Sequence, residues 1–177
     1  SIAIYVCKSK KIWDFNRFKS ECRRLEMHKI NLKISPYMAK DSLEKMNKAK
    51  NYGYDESKIN FEIGRIYEAM KNTRYDSATF DEILSKYHES YKNGNSDAGL
   101  YYCVAWIRQN CSLIFSSSFG KDVEKVIEIL ADIAIGINKS MAYALWCYLS
   151  CARGDDARAE RLFQETNDLA INELFYL

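Results

Sequence analysis

Residues 87–106, YHESYKNGNSDAGLYYCVAW, interrupt an apolar and aromatic run with five small or polar residues, Gly94-Asn95-Ser96-Asp97-Ala98, and then resume it. A glycine placed just after a helical pattern takes the left-handed C′ position at little steric cost, and a short polar link then opens the next helix. The interruption recurs. Gly53, Gly94 and Gly136 stand 41 and 42 residues apart, and a small residue follows each by four positions: Ser57, Ala98 and Ser140. A fixed period of this length is the signature of a tandem array, in which no unit buries its apolar face alone.

The intervening segments carry helical periodicity. Residues 9–27 place Ile12, Phe15, Phe18, Cys22 and Leu25 at three- and four-residue steps, and 37–51 follow a Ser35-Pro36 helix start. Residues 57–71 and 77–92 form one expected hairpin, 96–110 and 121–135 the next, and 139–152 and 156–170 the third, turning at Arg153-Gly154-Asp155. Asp122 and Asp155 are expected N-caps or first-turn acids, because a carboxylate there accepts hydrogen bonds from unpaired amides. A single proline and seven glycines among 177 residues agree with an all-helical chain.

The order of these motifs resembles the Sel1-like repeat family, relatives of the tetratricopeptide repeat. The residues carrying the resemblance are Ile63-Gly64-x-x-Tyr67 on one first helix, Ala98, Tyr102-Cys103 and Trp106 on the next, and Ser140, Ala144-Leu145 and Tyr148 on the third. Asp122-x-x-Lys125-Val126 and Asp155-x-x-Arg158-Ala159 open second helices, and Gly94-Asn95-x-x-Ala98 leads between units. The second and third units lack the glycine of the Leu-Gly pair, and a HEAT- or armadillo-like α-solenoid has a similar period. The resemblance implies an α/α right-handed solenoid of about three to four antiparallel helix hairpins in a single domain, 1–177. Its parts are a basic N-terminal cap or degenerate unit at 1–54, repeats at 55–95 and 96–137, and a third repeat with a C-terminal cap at 138–177. It also implies that Tyr67, Trp106 and Tyr148 pack between helices.

Catalytic patterns do not occur in the sequence. His28 and His88 lie in separate segments with no HExxH, and there is no GxGxxG, GxxxxGK[ST] or GxSxG. Cys7, Cys22, Cys103, Cys111, Cys147 and Cys151 include no CxxC or CxxH, which argues against a zinc site. They read as buried thiols in a reducing compartment. No enzyme activity, cofactor or metal is expected. No window is apolar enough to span a membrane, and the opening SIAIYVCKSKK reverses the charge order of a signal peptide. The expected location is cytoplasmic, or periplasmic or secreted if a leader was removed.

In an array of this type the first helices line a concave face. Counting from the small residue by analogy with the tetratricopeptide arrangement selects Phe61, Arg65 and Glu68, then Leu100, Val104 and Arg108, then Trp146 and Leu149. Apolar and aromatic anchors flanked by arginine suit a protein or peptide partner. The resemblance implies an adaptor or regulator, often bacterial, or an immunity protein that silences a toxin. The alternative comes from charge. Residues 1–50 hold 13 Lys and Arg against 5 Asp and Glu, so Lys10, Lys11, Arg17, Arg23 and Arg24 could take nucleic acid or another polyanion.

Overall fold

The computed structural model describes residues 12–23, 36–71, 73–76, 78–110, 114, 120–134 and 139–176. Among these the chain is all helical: α1 Phe15–Cys22, α2 Pro36–Asn51, α3 Glu56–Met70, α4 Phe80–Lys92, α5 Ser96–Asn110, α6 Gly120–Ala134, α7 Lys139–Ala152, α8 Asp156–Glu165 and α9 Asp168–Tyr176. None of these helices is long and apolar enough to cross a membrane.

Helix starts follow local chemistry. Asp14 accepts from the Arg17 amide at 2.8 Å, Asp55 from Ser57 at 3.0 Å, Thr79 from Glu82 at 3.2 Å, and Asp155 from Arg158 at 3.2 Å. Asp122 lies in the first turn of α6. Helix ends follow glycine. Gly53 and Gly94 have φ of 77° and 98°. After α4, the Asn95 amide donates to Ser90 O at 3.1 Å and Gly94 to Tyr91 O at 3.0 Å, the paired bonds of a Schellman turn. Tyr54 and Gly53 do the same to Ala49 and Lys50. Gly154, with φ 75°, repeats this geometry inside the third hairpin, so the left-handed glycine marks a helix end and not only a unit boundary. Gly136 lies outside the described residues.

One expected helix is two. The segment 156–170 breaks at Thr166-Asn167 into α8 and α9. Thr166 is extended, with φ −95° and ψ 171°. Its hydroxyl donates to Ser140 O at 2.8 Å, while Asn167 Oδ1 caps the Ala170 amide at 2.9 Å. Three residues that favour caps over helix interiors, Thr166-Asn167-Asp168, were the available signal.

Neighbouring helices pack in chain order, from α2 on α3 through to α7 on α8. The small residues at the first-helix starts let the second helices come close. Ser90 Oγ donates to Ser57 O at 2.6 Å, just as Thr166 Oγ1 donates to Ser140 O, and Ala98 is wholly buried. A continuous apolar core runs from α4 to α9, and Ala39, Ile66 and Met70 form a smaller cluster between α2 and α3. Trp106 and Tyr148 are buried in the larger core, with Tyr67 partly buried against it.

The N-terminal helix goes to the far end of the chain. Trp13 stacks on Phe175 with ring centroids 5.0 Å apart, and Phe18 meets Phe163 edge-on at 5.7 Å. Trp13 Nε1 donates to Asn172 at 2.8 Å, and the Ile12 and Trp13 amides donate to the Asp168 carboxylate. Hence α1 belongs with α7, α8 and α9, whereas α2 packs on α3. The sequence had grouped both in one N-terminal segment.

Candidate partner-binding face

Of the eight residues selected for a concave face, the structure gathers four between α3 and α5: Phe61, Arg65, Glu68 and Arg108. Phe61 meets Tyr101 edge-on, at 4.9 Å and 88°. The Arg65 guanidinium lies over both rings, at 5.7 and 5.8 Å from their centroids, and pairs with Glu62 at 3.2 Å. Phe61, Arg65 and Tyr101 are partly exposed.

Beneath this ridge is a buried polar cluster. The Tyr87 hydroxyl, reaching up from α4, donates to Glu68, and Arg108 Nη1 lies 3.6 Å from Glu68 Oε2. The Glu68 and Arg108 side chains retain only 18% and 10% of their exposure. Burial raises the Glu68 carboxyl above its ordinary value, against the opposing pull of Tyr87, Arg108 and Arg65. Burial also lowers the Arg108 guanidinium, with Glu68 opposing, and raises the Tyr87 phenol. Arg108 Nε and Nη2, and Arg65 Nε, are buried without a hydrogen-bond acceptor among the described residues. Gly64 makes this arrangement possible: a Cβ there would stand 2.7 Å from the Tyr87 ring. The ring therefore occupies the space that a side chain would fill.

The remaining selected residues divide. Leu100 and Trp146 are partly buried, and Trp146 lies parallel to Tyr143 at 6.4 Å. Val104 and Leu149 belong to the core, at 7% and 0% exposure. Because α6, α8, α9 and α1 all pack on α7, little of that helix is left for a groove. Sequence reasoning missed Tyr101 and Tyr87. Tyr101 stands 40 residues after Phe61, close to the repeat period, and so could have been found; Tyr87 becomes relevant only through the packing of α4 under α3.

Elsewhere, a cavity of about 380 Å³ lies between α4, α5 and α6, lined by Phe80, Leu84, Trp106 and Asn110 with Asp81 and Asp122. No group of three or more His, Cys, Asp or Glu side chains among the described residues could hold a metal ion. In the basic N-terminal set, Arg17 lies 4.0 Å above the Trp13 ring, and neighbouring Lys19 pairs with Asp156 at 2.7 Å. Arg23 is exposed, and Lys10, Lys11 and Arg24 lie outside the described residues. No family model, curated protein or solved structure matches this chain.

Proposed function

We propose that this chain is a non-enzymatic interaction module, an α/α right-handed solenoid of Sel1-like or tetratricopeptide-like hairpins, that receives a protein or peptide on the α3–α5 face. The solenoid reading is supported by chain-order helix packing, the recurring Schellman ends, and the shared hydroxyl-to-carbonyl link at Ser57 and Ser140. The binding reading rests on one observation above all. The partly exposed Phe61–Tyr101 pair, capped by Arg65, is held on a buried Tyr87–Glu68–Arg108 network. Aromatic and arginine side chains on a rigid base bind with little loss of rotamer freedom, and such residues dominate interface energies.

The role that follows is that of an adaptor, a regulator or a toxin-neutralising protein. Polyanion binding through the N-terminal helix draws less support, because Arg17 already lies over Trp13 and Lys19 is paired with Asp156.

Selection of displayed peptides on the purified chain tests the reading. Phe61→Ala is expected to weaken the selected peptides by about 30-fold, the effect of an anchor contributing about 2 kcal/mol. Arg65→Glu should act in the same direction, whereas Lys45→Glu on exposed α2 should leave binding intact. Full binding by both α3 variants, with helical circular dichroism unchanged, refutes this face.

A further inference from the structure

Arg108 lacks an acceptor. Its side chain retains only 10% of its exposure, and a guanidinium carries five N–H donors. Among the described residues it makes no hydrogen bond: Glu68 Oε2 stands 3.6 Å from Nη1, an ion pair beyond hydrogen-bond reach, and Nε and Nη2 are buried with nothing to accept from them. Arg65 Nε, on the facing helix, is in the same condition. The chain's own carboxylates near these arginines are engaged elsewhere. Glu68 Oε1 accepts the Tyr87 hydroxyl, and Glu62 accepts from Arg65 Nη1 at 3.2 Å. Buried donors without an acceptor are costly and uncommon in native folds, so this pair points to an acceptor from outside the chain.

Charge and shape select its class. Arg65 and Arg108 are already balanced by Glu62 and Glu68, so the face accommodates a monoanion more readily than a phosphate dianion. A carboxylate also presents two coplanar oxygens to the planar guanidinium fork. Burial, which raises the Glu68 carboxyl towards its neutral form, favours the incoming charge further.

The helical register fixes where that carboxylate lies. Phe61 and Glu68 are seven positions apart on α3, and Tyr101 and Arg108 seven apart on α5, so the Arg108–Glu68 contact follows the Phe61–Tyr101 contact by two turns, about 10 Å. Arg65 lies over both rings in between. We infer, on the basis of the α3–α5 docking face proposed above, that Arg108 and Arg65 receive an acidic side chain of the bound peptide, about 10 Å from the apolar residue that packs on Phe61 and Tyr101. About three residues of extended chain span this distance, so the recognised motif is an apolar residue with an aspartate or glutamate about three positions away.

The test selects random displayed peptides on the full chain and then titrates synthetic copies by fluorescence anisotropy. Their C-termini are amidated, so that side chains supply the only carboxylates. The selected peptides should carry the acid at this spacing, and changing it to its amide should weaken binding by about 10- to 100-fold. Arg108→Met should weaken the acidic peptide by a similar factor and leave the amide peptide unchanged, a coupling that a purely structural Arg108 would not produce. Arg108→Lys, which keeps the charge without the fork, should recover only part of the affinity, and it makes the same comparison if Arg108→Met loses its helical circular-dichroism signal. Peptides that weaken on Phe61→Ala yet carry no acid, or whose acid-to-amide loss persists in Arg108→Met, overturn the carboxylate assignment and leave the face standing. Tighter binding with phosphoserine in place of the acid also overturns it. Peptides indifferent to both Phe61→Ala and Arg65→Glu overturn the face itself, and this inference with it.

Discussion

Gly64→Ala separates helix propensity from packing. On an exposed helix the change would stabilise by about 1 kcal/mol, because alanine loses less backbone entropy. Here the added Cβ would meet Tyr87 Cε1 at 2.7 Å and Cδ1 at 2.8 Å. These atoms belong to the body of a ring, and the ring cannot easily retreat: Tyr87 is fully buried and its hydroxyl is bonded to Glu68. Overpacking of this kind costs about 1–3 kcal/mol, with the upper half applying where a ring or helix must shift. After the propensity gain is subtracted, the expected net loss is about 1–2 kcal/mol. For a chain of this size that lowers the melting midpoint by about 2–8 °C. Urea unfolding followed by far-ultraviolet circular dichroism should show a lower midpoint at unchanged slope. In a Tyr87→Ala background the same change should stabilise by about 1 kcal/mol, giving a coupling of about 2–3 kcal/mol. Equal or greater stability of the single variant would refute the close approach of α4 to α3.

Two further outcomes rest on other geometry. Gly94, with φ 98°, has nothing within 4 Å of an added Cβ, so Gly94→Ala should cost about 1 kcal/mol from backbone strain alone and Gly94→Asn less, measured in the same urea titration. His88 lies against the Tyr102 ring at 5.6 Å, and burial, Lys125 and Lys92 lower its pKa from 6.5. The unfolded chain then binds more protons between the two values, so this contribution to stability is present above about pH 6.5 and lost as the pH falls through the folded value. His88→Gln should flatten that part of the stability profile.

The local signals translated directly into structure. Period-3.6 patterning places α2 to α7 within a few residues of their observed bounds, and Gly53 and Gly94 adopt the left-handed geometry that their positions required. These features depend on neighbours within one or two turns, which is why a linear pattern contains them. Phe61, Arg65, Glu68 and Arg108, which the helical spacing selected, come together between α3 and α5.

Tertiary packing decided the rest. Val104 and Leu149 have the same pattern as groove residues, but burial depends on which helices cover them, and α7 is covered by four. The docking of α1 on α7 to α9 joins residues more than 150 positions apart through Trp13, Asp168 and Asn172. That pairing is set by matching aromatic surfaces, Trp13 on Phe175 and Phe18 on Phe163. Sequence periodicity specifies which face of a helix is apolar; only the folded chain specifies which other face it meets, because distant segments compete for the same buried area.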